Sequence, residues 1–171
     1  MYEKGEYIVY GHNGICVVED VTNPGFSDVD KDKLYYVLEP IGTKGSKIYS
    51  PVDSKKVLMR RVMKKEEVEK LIEGIPSVET LWIGNEKMRE ESYKAAMLTC
   101  EPVEWVKIIK TLYKRTRDRI SQGKKITATD ERYLKLAEDS LYSELGFALG
   151  RDKEEMPDYI KRRIGEQKIG L

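Results

Sequence analysis

Glu6-Tyr7-Ile8-Val9-Tyr10-Gly11-His12-Asn13-Gly14-Ile15-Cys16-Val17-Val18-Glu19-Asp20-Val21 decides how this chain is read. Two runs rich in β-branched and aromatic residues flank a Gly-His-Asn-Gly tetrad. Glycines on both sides of His12-Asn13 permit positive φ, so the tetrad reads as a hairpin-like turn between strands. Outward from it lies a polar loop, residues 22–33, containing Pro24-Gly25, and then three more short strand candidates at 34–38, 46–50 and 57–59. Five short strands with turn signals between them predict a small SH3-like or Tudor-like β-barrel over residues 1–62. A domain of that size lies near the lower limit for independent stability.

Past residue 63 the period of apolar residues lengthens to that of helices. Residues 64–72 read as helix and Gly74-Ile75-Pro76 ends it. Gly84-Asn85 opens a second helix over 86–97, and Pro102 opens a third. In the third, Trp105, Ile108, Ile109, Leu112, Tyr113, Thr116 and Ile120 recur every three or four residues and define a buried face. Thr127-Ala128-Thr129-Asp130 resembles a capping box, the helix after it carries Leu134, Ala137, Leu141, Leu145 and Ala148, and Gly150 stops it. Met156-Pro157-Asp158 begins a last short helix. The class expected is α+β, with the barrel followed by a compact bundle of about five α-helices over residues 63–171.

The composition narrows the chemistry. Charged residues make up 36% of the 171 and apolar ones 40%, a globular balance. No apolar run approaches the ~18 residues that cross a bilayer, so no membrane is expected as partner. The first seven residues hold no apolar run, and the two cysteines, Cys16 and Cys100, are far apart; both features suit a reducing cytoplasm. His12 is the only histidine, and neither phosphate-cradling glycine motif occurs. Nothing here requires catalysis, a cofactor or a metal. Asp28, Asp30 and Asp32, with Glu39, match the acidic skeleton of a calcium loop, but Lys33 stands where that loop needs glycine, so an acidic loop tip is the reading.

Charge is segregated along the chain. Residues 106–125 hold eight Lys and Arg against one acidic residue, Asp118, while the segments on either side are neutral or acidic. Lys107, Lys110, Lys114 and Arg117 fall within about a quarter of the helix circumference, opposite the apolar face, and Arg119, Lys124 and Lys125 extend the charge past the helix end. Such a stripe favours a polyanion with salt-sensitive, sequence-independent affinity. Trp82, in the connector before the second helix, reads from its position alone as a hydrophobic staple. The alternative is an exposed wedge against bases, with Lys87 and Arg89 behind it on phosphates. Trp105, on the apolar face, reads as core.

The stretch Tyr7 to Val18, Tyr35-Tyr36-Val37-Leu38, Ile48-Tyr49-Ser50-Pro51-Val52 and Leu58-Met59-Arg60 together resemble the CarD family. Trp82, Arg89, Tyr113-Lys114-Arg115 and Asp130-Glu131-Arg132 carry the resemblance into the helical half. It implies a bacterial transcription regulator whose N-terminal Tudor-like domain binds the β subunit of RNA polymerase. Val21, Phe26, Lys47, Tyr49 and Arg60 are the residues expected there. The helical domain would then meet promoter DNA at the upstream edge of the bubble, with Trp82 as a wedge. The resemblance further implies no enzymatic activity, a monomer, and a place on the nucleoid. The rival from the residues alone is an adaptor whose basic helix meets an acidic protein instead of DNA.

Overall fold

The computed structural model describes residues 1–25 and 32–165. Contacts divide the chain into two compact units, Met1–Val62 and Met63–Leu171.

Unit 1 is a single antiparallel sheet of five strands: β1 (Tyr7–Tyr10), β2 (Ile15–Thr22), β3 (Tyr35–Pro40), β4 (Ile48–Pro51) and β5 (Met59–Arg61). Their order is β4-β3-β2-β1-β5, so β4 and β5 are edges, and the expected barrel is an open sheet rather than a closed one. The tetrad forms a tight 3₁₀ turn with Gly11 and Gly14 at φ +48° and +72°. Gly11 is required twice over, because a Cβ there would stand 2.6 Å from Val57 Cγ1.

The sheet bends at a bulge. Val18 pairs with Leu38 but Asp20 pairs with Val37, which leaves Glu19 as the extra residue. Cys16 and Val18 point inward before it and Val21 after it, so a doublet of acidic residues stays in water without breaking the buried face. Ile8, Tyr10, Cys16, Val18, Tyr36 and Leu38 form the core of this unit. Burial pushes the Cys16 thiol up to about 11, so it serves as an apolar filler. Neither cysteine forms a disulfide.

Unit 2 holds five α-helices: α1 (Lys65–Gly74), α2 (Arg89–Leu98), α3 (Pro102–Ser121), α4 (Ala128–Leu149) and α5 (Met156–Ile164). Their ends follow from local chemistry. Pro102 stands in the first turn of α3, the Thr127 hydroxyl accepts from the Asp130 N–H at 3.1 Å at the start of α4, and Gly150 ends α4 in the left-handed region. A short connection between α3 and α4, closed by Gly123 at φ +73°, turns the chain back. Trp105, Ile108, Ile109 and Leu112 of α3 pack with Leu141 and Leu145 of α4 in one core. Ile120, expected on this face, is 64% exposed, because the last turn of α3 runs beyond the packed core. Glu144 is buried and accepts from the Met63 N–H at 3.0 Å, fixing the first residue of the unit. No helix among the described residues is long and apolar enough to cross a membrane.

Candidate nucleic-acid interface

Trp82 is 87% exposed and therefore does not pack as a staple, the reading its position alone favoured. Its indole lies over Gly84, where a Cβ would stand 2.4 Å from Cη2. The connector that carries it is pinned. Leu81 donates its N–H to the Thr111 hydroxyl on α3 at 2.8 Å, and that hydroxyl donates in turn to the Lys107 carbonyl at 2.6 Å. Trp105, by contrast, is 3% exposed.

Beside this anchor runs an open groove of about 480 Å³. It is lined by Thr80, Glu86, Arg89, Thr111, Lys114, Arg115, Asp118, Arg119, Gln122 and Lys124, so basic side chains outnumber acidic ones. Along α3 the groove follows Thr111, Arg115, Asp118 and Gln122, about a quarter turn round the helix from the stripe of Lys107, Lys110, Lys114 and Arg117. Only Lys114 belongs to both.

The difference has a physical cause. Lys110 Nζ donates to the carbonyls of Ile75, at 2.9 Å, of Pro76 and of Val78, closing the end of α1. Lys107 pairs with Glu104 one turn earlier at 2.6 Å. Lys110 thus braces the chain after α1 against α3, while Lys107 is drawn into a local ion pair on its own helix. Arg117, Lys124 and Lys125 are exposed, as is Lys87, whose N–H donates to the Asn85 side chain.

Arg89 and Arg115 belong to a closed ring of bonds. Arg89 donates to Glu86 at 2.7 Å and to the Tyr93 hydroxyl at 2.8 Å. Tyr93, fully buried, donates to Asp130 Oδ1 at 3.2 Å, and Arg115 Nε donates to Asp130 Oδ2 at 2.8 Å. Arg115 Nη1 then returns to Glu86 at 3.2 Å. The hydrogen bond from Arg89 holds the Glu86 carboxyl below the usual carboxylate range, and burial raises the Tyr93 phenol, which stays a donor. Residue position alone missed Glu86 as the bridge and Thr111 as the anchor. Each depends on a partner far away in sequence, Arg115 for Glu86 and Leu81 for Thr111.

On unit 1 the residues expected to meet a protein are spread out. Lys47 precedes edge strand β4 and Tyr49 lies on it, 41% exposed. Arg60 lies on β5, at the opposite end of the strand order. Val21 packs against the core of the sheet. Phe26 lies outside the described residues, as do Asp28 and Asp30 of the acidic loop. Glu39, the last of that pattern, accepts from the Gly45 N–H at 3.0 Å. Among the described residues no group of three or more His, Cys, Asp or Glu could hold a metal ion.

Residues 2–63 match the family model of the CarD-like/TRCF RID domain. Unit 1 is thus a CarD-like RNA polymerase-interacting domain, and the CarD family fits that domain together with the helical region that follows it. Comparison with curated proteins finds no match to the chain.

Proposed function

We propose that this chain, built on a CarD-like polymerase-interacting domain, is a non-catalytic regulator of transcription initiation. Its N-terminal unit docks on the β subunit of RNA polymerase by adding a strand at a sheet edge, where backbone groups supply affinity and side chains supply choice. The helical unit meets promoter DNA at the upstream edge of the bubble. There Trp82 stacks against the unwinding step, and Lys114, Arg115, Arg117, Arg119, Lys124 and Lys125 face phosphates, with Lys87 and Arg89 near the indole. It works as a cytoplasmic, nucleoid-associated monomer without a cofactor.

One observation carries this reading: an indole 87% exposed on a connector pinned to the wall of a basic groove. Exposing an indole is unfavourable in water, and stacking on a base removes it from water. The wedge needs only to prefer the open duplex. A preference of about 1.4 kcal/mol shifts the equilibrium between closed and open promoter tenfold. The test is the lifetime of open complexes made by purified polymerase with the wild-type protein and with Trp82→Ala. Longer lifetimes that require Trp82 support the wedge. Equal lifetimes with both proteins would discard it.

A further inference from the structure

Glu86 stands between the two arginines that face the groove. Its carboxylate receives Arg89 through Nε at 3.1 Å and Nη2 at 2.7 Å, and Arg115 through Nη1 at 3.2 Å. Its side chain is 66% exposed and sits on the 3₁₀ turn Glu86–Met88 ahead of α2. The guanidiniums are held differently, each from behind by a buried group. Tyr93 accepts from Arg89, Asp130 accepts from Arg115, and Tyr93 joins the two by its bond to Asp130.

Two fixed cationic forks therefore converge on a point occupied by an exposed carboxylate. A backbone phosphodiester has the same charge as that carboxylate and likewise offers two acceptor oxygens, a geometry that guanidinium forks match. We infer that Arg89 and Arg115 form one preorganised site for a single phosphodiester, and that Glu86 fills it as an internal stand-in until DNA arrives. The inference rests on the DNA reading above and specifies where one phosphate sits. When DNA docks, the phosphate replaces the carboxylate and Glu86 turns into solvent. The arginines exchange one anion for another and are never left bare. The exchange lowers intrinsic affinity, so the helical unit engages DNA effectively only when polymerase holds it near the promoter.

The test measures binding of a labelled fork-junction duplex to the full-length protein at several salt concentrations, with thermal melting of each variant as a fold control. Glu86→Gln is expected to tighten binding about three- to tenfold, the range of a broken surface ion pair or two. Asp118→Asn, which removes a charge from the same groove without touching either arginine, should tighten it less. In an Arg89→Ala background the gain from Glu86→Gln should shrink. If Arg89→Ala weakens binding but Glu86→Gln fails to tighten it, or only equals Asp118→Asn in both backgrounds, the stand-in is refuted and the DNA reading survives. If neither the wild-type protein nor Glu86→Gln binds the duplex at low salt, the DNA reading fails and takes the inference with it.

Discussion

Arg115 and Asp130 meet at 2.8 Å between Nε and Oδ2, tying the middle of α3 to the first turn of α4. Asp130 is 1% exposed, so its carboxylate depends on that arginine and on the Tyr93 hydroxyl. Asp130→Ala leaves a partly buried guanidinium and a buried phenol short of partners, and should cost about 3–5 kcal/mol. Denaturant unfolding of the full chain measures this. A loss below about 1 kcal/mol would mean that the ring is not needed for stability.

The two tryptophans should separate in fluorescence. Trp82 is open to solvent and Trp105 lies in the core, so acrylamide should quench one emitting population and spare the other. Trp82→Ala should remove the quenchable component and change stability by no more than about 0.5 kcal/mol, as for a surface site. Gly84→Ala should keep the fold yet displace the indole, because the new Cβ takes its place.

Lys110 and Lys114 are one helical turn apart and should behave oppositely. Lys110→Ala removes a donor from three carbonyls and should destabilise unit 2 by about 1–3 kcal/mol, with little change in the salt dependence of DNA binding. Lys114→Ala should leave stability unchanged and lower the slope of log affinity against log salt by about 0.9. Paired melting and salt titrations decide between these outcomes.

Gly146 lies within α4, where alanine ordinarily favours helix by about 1 kcal/mol. Here the added Cβ would meet backbone, the Arg151 carbonyl oxygen at 2.7 Å and the Lys153 nitrogen at 3.2 Å. Gly146→Ala should therefore destabilise by about 1–3 kcal/mol, seen as a lower denaturant midpoint. A rise in that midpoint would show that the turn after α4 yields easily.

The two sheet edges can be told apart by polymerase retention. Docking at β4 predicts that Lys47→Glu and Tyr49→Ala reduce retention on immobilised polymerase, while Arg60→Glu on β5 does not. The reverse pattern would move the contact to β5.

Most elements were legible because glycine, proline and a capping threonine mark their ends: Gly11 and Gly14 at the hairpin, Pro76 after α1, Pro102 and Thr127 at helix starts, Gly150 at a stop. The bulge at Glu19 left no such mark, since two adjacent acidic residues suit a regular strand's end equally well. Strand β5 begins two residues later than expected, because Val57 packs against the hairpin glycine rather than pairing. The site was legible in part. A helical wheel places lysines by angle but says nothing of what stands opposite them. Lys110 finds its first carbonyl 35 residues back, and Arg115 finds its carboxylates 15 residues ahead and 29 behind. Those partners relocate the basic surface from the lysine stripe to the groove.

The hydrogen bond between Leu81 and Thr111 also bears on kinetics. Because the Leu81 backbone is held, the connector needs no folding step before it presents the indole, so encounter should be limited by diffusion and steering rather than by rearrangement. Changes at Lys114 or Arg119 should then appear mainly in the association rate and fade in high salt. Changes at Trp82 should appear in the dissociation rate, because the ring acts only after contact has been made.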